Sequence, residues 1–328
     1  MLSNALTPLA ALNAHMMTPV HPTAYPFPWA TTLHALRVSL AYRGICKGFK
    51  ARRRAQGKKD DELQVGMLRE AAGFLVMAWG GSFLSNYILT QIPGQLISVQ
   101  PWLNYLSVHY AVGFLLTLFP APSARLLDLC LPVLDGATRT AATLGGINLV
   151  LNHVNPAVRS SWLLQVLIAT ISASGGGISA FTLNVFDPVG WSFSTPPFLT
   201  FSRLVEFTDI LAPMIAALAF GVVTQSHPAY TNLVQSSSLT SLLGVHGAKM
   251  SAPAFSPDRA RALVTLIIAT CFWAKAMVTH LLAPVTPPAS ASTSVKKIAA
   301  PARSSGSRAS TPSTPSTRSR KAANKVEA

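Results

Sequence analysis

Three charged residues stand in an otherwise apolar stretch of this sequence: Asp128, Asp135 and Arg139. Asp135 and Arg139 are four positions apart with the acid first, the order that favours pairing along one helix face. Asp128 lies two turns earlier on the same side. Facing lipid, each such charge costs at least about 2.5–3.5 kcal/mol. The stripe therefore has to face a water-filled path or other protein. As a path lining, the carboxylates would favour cations, and Arg139 would stand as a fixed barrier or gate. As a structural pair, the same residues would lock their helix in place. Lys275, flanked by Trp273-Ala274 and Ala276-Met277, is read two ways as well. It either lines the same path or buries its alkyl stem and reaches an aqueous interface. His34 and His109 are expected to be hydrogen-bonded packing residues.

No catalytic residues are assigned. The sequence has no His-Glu-x-x-His, no nucleophile elbow and no paired catalytic carboxylates with a histidine. Gly175-Gly176-Gly177 lacks the Lys and Ser/Thr that complete a phosphate loop. Cys46, Cys130 and Cys271 are scattered without metal-ligand spacing, so they read as structural fillers and no metal is expected.

The elements that must hold these charges are set by composition. Half of the 328 residues are hydrophobic and only 11 % are charged, against about 25 % in soluble domains. The formal charge is +15, but Lys and Arg crowd into residues 37–69 and the last thirty-odd positions. Without a base-reading motif, that pattern excludes a nucleic-acid partner and fits basic segments flanking membrane spans. The chain reads as an all-α membrane protein of about seven spans, since lipid leaves backbone amides no partners except their own helix. The spans fall near residues 28–43, 68–92, 102–119, 126–152, 162–187, 209–224 and 260–282. Residues 1–26 form a flexible N-terminal segment, 27–283 the transmembrane domain, and 284–328 a disordered basic Ser/Thr/Pro-rich tail. No cleavable leader is recognised, so the first span is expected to act as its own insertion signal.

The basic residues orient the spans. A luminal N-terminus places Lys47 through Lys59, Arg125, Arg203 and the C-terminal tail in the cytosol, leaving only Arg159, Lys249, Arg259 and Arg261 opposite. Within the segment Lys47–Glu62, read as a solvated loop, Arg52, Arg53, Arg54, Lys58 and Lys59 are candidates for anionic lipid headgroups. The plainer reading is that they only fix topology. Two glycine segments echo each other at matching places in consecutive three-helix sets: Gly80-Gly81 in span two and Gly175-Gly176-Gly177 in span five. Sets of three helices insert with inverted topology. Glycine interruptions at corresponding points of inverted halves would mark a midplane path, while the alternative is simple close packing of helices.

These glycine segments resemble the trimeric intracellular cation (TRIC) channel family. Gly80-Gly81-Ser82-Phe83-Leu84-Ser85 with Pro93 resembles the family's span-two segment, and Trp162 followed by Gly175 through Phe181 resembles its span five, with Trp191 beyond. His34, Arg43 and Lys275 fall where the family has such residues. The resemblance covers roughly residues 28–283. It implies two inverted three-helix repeats plus a seventh helix, assembled as a homotrimer with a pore in each subunit. It also implies potassium flux that balances charge during calcium release across the endoplasmic reticulum or nuclear-envelope membrane. Animal members carry a Lys-Glu-Val-x-Arg motif that contacts an inositol phospholipid. Here Asp135-Gly136-Ala137-Thr138-Arg139 keeps only the Arg, and Thr182 replaces an acid, which weighs against that lipid. No other cofactor is expected. Two further readings stay open: a secondary transporter on the same repeats, and a structural membrane protein whose basic tail recruits partners.

Overall fold

The computed structural model describes residues 5–200, 204–236 and 255–282. The chain divides at residue 283, and everything described belongs to the unit before that point. The basic tail and its expected disorder lie outside the described residues.

Residues 7–28 carry regular secondary structure. Helix α1 (Thr7–Met16) leads into a short antiparallel hairpin, β1 (Pro19–His21) and β2 (Tyr25–Pro28). The hairpin turn is closed by His21, whose Nδ1 accepts from the backbone N–H groups of Thr23 and Ala24 at 3.3 and 3.0 Å. Order comes from burial: Leu6, Asn13 and Met16 are enclosed, and Met16 packs with Leu12, Trp29, Ala30 and Ala137.

Helix α2 (Trp29–Ala55) is released by Pro28 and runs twelve residues beyond Arg43, where the sequence had placed its end. Lys47 through Arg54 therefore extend a helix and are no solvated loop. Arg52, Arg53 and Arg54 occupy its last turn, where the helix dipole favours cations. Helix α3 (Met67–Ile88) and helix α4 (Gln100–Leu118) follow, the latter opened by Pro101 and ended before Pro120. The fourth expected span is two pieces. A short helix over Ala124–Cys130, capped by Ser123, stops at Leu131, and α5 (Pro132–Leu151) restarts on Pro132. Proline has no N–H to continue the ladder, so the restart falls on it. Helix α6 (Trp162–Thr182) is capped by Ser161. Helix α7 (Thr208–Thr224) tolerates an internal Pro213, and α8 (Pro257–Met277) ends in a π-turn over Val278–Leu282.

The glycines do not break their helices. Both α3 and α6 run unbroken through Gly80-Gly81 and Gly175-Gly176-Gly177. The two helices cross there almost backbone to backbone. A Cβ on Gly81 would sit 2.5 Å from the Ser172 carbonyl oxygen, and one on Gly175 would sit 2.7 Å from the Gly81 Cα. One on Gly176 would collide with the Met77 carbonyl. The matched glycines are thus a packing device, the small-residue contact that lets membrane helices approach. The α5–α8 crossing repeats it with Gly136, where a Cβ would lie 2.9 Å from both the Ala269 Cβ and the Thr265 carbonyl.

Three segments, Trp162–Thr182, Leu204–Thr224 and Pro257–Leu282, are by length and composition apolar enough to cross a membrane. Large apolar side chains stay exposed along α4 and around the bundle, among them Leu103, Phe114, Leu115, Leu163, Leu167 and Trp273. A surface of that kind is out of place in water and at home in lipid. Polar groups go inward: Asn104, His109, Thr143, Gln165 and Thr265 are buried. The chain is a helical, multi-pass membrane protein.

Candidate functional site

Asp135, Arg139 and Lys275 line one chamber of about 880 Å³, bordered by α2, α3, α5, α6 and the facing ends of α7 and α8, whereas Asp128 is not among its lining residues. The Leu131–Pro132 restart puts Asp135 in the first turn of α5, beside α2. There Arg37 answers it: Nε donates to both Asp135 carboxylate oxygens at 3.0 and 3.2 Å. The same guanidinium donates from Nη2 to Asp128 at 2.6 Å, and Asp128 also contacts His280 Nε2 at 3.0 Å. One Arg between two Asp leaves a net charge of −1 while His280 is neutral.

A second group has the opposite sign. Arg139, one turn beyond Asp135 on α5, donates from Nη2 to Asp209 at 3.1 Å, and from Nη1 to the Ala173 carbonyl at 3.1 Å. Asp209, in the first turn of α7, also receives Lys275 Nζ from α8. The ring of Phe272 lies 4.4 Å under the Arg139 guanidinium, an arrangement that steadies a desolvated cation. Two cations share one carboxylate, so these three side chains sum to +1, and Glu206 adds a further carboxylate to the chamber lining. The chamber wall thus holds Arg37 and Asp135 of an acid–Arg–acid triad whose third member, Asp128 of the short helix, is not among the lining residues, and an Arg–acid–Lys triad from α5, α7 and α8. On the same wall, His34 Nδ1 meets the Tyr105 hydroxyl at 2.9 Å.

Most of the sequence candidates thereby fall in one place, but not with the partners expected. Asp135 and Arg139 do not answer each other along the helix; each is bonded across to a neighbour, Arg37 and Asp209. Asp128 belongs to a separate helix and is not a continuation of the same stripe. An i, i+4 pair contributes only about 0.3–0.5 kcal/mol, whereas a half-buried inter-helix pair meets less competition from water. Lys275 lines the chamber, so its interface reading is replaced by the ion pair with Asp209. Gly176 and Gly177 border the chamber, and only Gly177 leaves open space where a Cβ would be. Arg37 and Asp209 went unassigned in the sequence. The available signal was the same as for Asp135, an unbalanced charge within or at the end of an apolar run.

The basic cluster is largely answered from within. Arg53 pairs with Asp187, Arg54 with Asp60 at 2.6 Å, and Lys58 with Glu62 at 2.6 Å, while Arg52 lies 5.5 Å over the Phe49 ring. Arg69 donates to the Asp187 and Pro188 carbonyls, so two arginines clamp that turn. Burial pushes the Asp187 carboxyl upward, but hydrogen bonds from Arg53 and the Val189 N–H outweigh it and hold it below the usual carboxylate range. Nearby, Arg43 pairs with Glu70 at 2.6 Å, and His109 sits 2.8 Å from Ser39 and 3.6 Å from Glu70. Among the described residues, no group of His, Cys, Asp and Glu is placed to hold a metal ion.

Fold and site define a helical membrane protein enclosing a charge-lined chamber. Among solved structures, the chain is similar to a trimeric intracellular cation channel from C. elegans, determined in the absence of Ca2+. The match covers 85 % of this chain and 98 % of that one, at 18 % identity and a TM-score of 0.46. No family model and no curated protein matches the sequence.

Proposed function

We propose that this protein is an intracellular monovalent cation channel, a divergent relative of the TRIC channels. In this reading seven helices, α2 to α8, span the membrane as two inverted sets of three plus α8, with the N-terminus luminal and the C-terminus cytosolic. Three copies assemble, each with its own path, and potassium is the counter-ion passed across the endoplasmic reticulum or nuclear-envelope membrane. The observation that carries the reading is the chamber with its two oppositely charged triads. The residue pattern from Gly80 to Ser85, with Trp162 and Gly175 to Phe181, supports the family assignment.

Because α3 and α6 are unbroken, their backbone carbonyls stay within the helices and are not offered to an ion. Selection must come from side chains. Asp128 and Asp135 attract cations to the path, while Arg139 and Lys275 oppose their passage until the wall rearranges. Anionic headgroups fit the basic end of α2, chiefly Arg52 and Lys59, since Arg53, Arg54 and Lys58 have internal partners.

Potassium flux into proteoliposomes tests the reading. Purified protein is expected to admit potassium, Arg139→Gln to raise the flux and Asp135→Asn to lower it. Vesicles that stay tight over a range of voltages and calcium levels would sink it. The paired charges favour one second reading, a secondary transporter with an occluded chamber. Saturable counterflow of a labelled solute without unitary current would select that reading instead.

A further inference from the structure

We propose that residues 5–28 form a built-in strap that holds the two helix sets together at one end of the chamber and must let go for the chamber to open. The inference rests on the channel reading for its functional meaning, but its contacts stand on their own. The strap is bolted to the first set directly and to the second through α8 and the packing on α5. On one side Asn13, buried in α1, donates from Nδ2 to Thr265 Oγ1 of α8 at 3.0 Å. Thr265 is in turn 3.0 Å from Thr140 Oγ1 of α5, so a buried polar chain joins α1, α8 and α5. On the other side, Tyr25 of the hairpin donates to Asn104 Oδ1 of α4 at 2.8 Å. Asn104 is itself buried and donates to Thr31 of α2 at 2.9 Å.

Between these bolts, Leu12 and Met16 pack on Ala30 of α2 together with Leu134 and Ala137 of α5. That places the strap over the seam between the first helix of each set. The seam leads to the chamber: Ala30, Thr31 and His34 of α2 and Asp135 and Thr138 of α5 line it. Any motion that parts α2 from α5 must either uncover Met16 or pull Asn13 away from Thr265, which leaves the buried Asn13 amide without its partner while Thr265 keeps Thr140 and the Arg261 carbonyl. An unpartnered buried polar group is costly, so the contacts bias the seam shut. The segment carries no charged Lys, Arg, Asp or Glu, so its hold is independent of ionic strength.

A reversible lock tests the strap. In full-length protein with Cys46, Cys130 and Cys271 replaced by Ser, Asn13→Cys with Thr265→Cys is oxidised and reconstituted. Disulfide formation is followed by gel mobility. The expected result is a potassium flux at least about three-fold lower when oxidised, restored by reductant. A confirmed disulfide with unchanged flux would overturn the proposal. Independently of any flux, Asn13→Leu with Tyr25→Phe is compared with the parent by amide hydrogen exchange in nanodiscs. Faster exchange in the first turns of α2 and α5 supports the strap, and unchanged exchange there contradicts it. If no variant and no parent conducts while exchange still accelerates, the channel reading fails and the strap remains.

Discussion

Asp209 has the heaviest duty of any single side chain at the chamber. It stands between Arg139 and Lys275, and its backbone carbonyl accepts from the Ser174 hydroxyl at 2.5 Å. Asp209→Asn leaves two half-buried cations facing each other. Breaking such a pair from one side costs about 3–5 kcal/mol when fully buried, and these groups are partly exposed, so a smaller loss is expected. Thermal unfolding in detergent should show a drop of several degrees, partly rescued by Lys275→Met, which removes one of the stranded charges. An unchanged melting temperature would mean that the triad is not formed. Asp187 gives a pH test outside the bundle. Its carboxyl is held below the usual range, so its stabilising contribution is complete above the ordinary carboxylate pKa and is lost as pH falls through the lowered value. The parent should lose stability on acidification from pH 5 towards pH 3 more steeply than Asp187→Asn, measured by unfolding across that window.

Helix crossings decide which glycines matter. Gly176→Ala forces a methyl against the Met77 carbonyl and Gly81→Ala one against the Ser172 carbonyl, with no flexible side chain to yield. Overpacking of this kind costs about 1–3 kcal/mol. Gly177→Ala meets nothing within 4 Å and should be neutral or stabilising, because alanine favours helix by about 0.8–1 kcal/mol. Melting temperatures of the three variants test the contrast, and equal behaviour would refute the crossing. The same glycines show what could be read from sequence. Their matched positions were legible, but a glycine serves close approach and helix interruption alike. The choice between them depends on what lies opposite, which no local pattern records. The start of α2 was legible from Pro28, both ends of α4 from Trp102 and Pro120, and the start of α6 from Trp162. The extension of α2 to Ala55 was not, because five Lys and Arg between Arg43 and Ala55 look like a loop until Asp187 and the helix end answer them. The ion-pair partners were invisible for a similar reason: Arg37 and Asp135 are 98 positions apart.

For the molecule as a whole, the greasy exterior and the charged interior fit one design. Apolar side chains on α4, α6 and α8 meet lipid, and the polar faces turn towards the chamber. Removing residues 284–328 touches none of the described contacts, so a channel should keep its conductance after that deletion. A protein whose role is to recruit partners through the tail would lose function instead. The proposed orientation, with the N-terminus luminal and the tail cytosolic, predicts that a protease added to sealed microsomes removes the tail and spares the N-terminus.

The central claim is that side-chain carboxylates in the chamber select cations. The most direct measurement is the reversal potential of single channels in planar bilayers under a potassium chloride gradient, for the parent and for Asp135→Asn. The parent is expected to reverse near the potassium equilibrium potential, with the variant displaced towards zero and passing smaller currents. Parent currents that reverse on the chloride side, or identical values for the two proteins, would contradict the account.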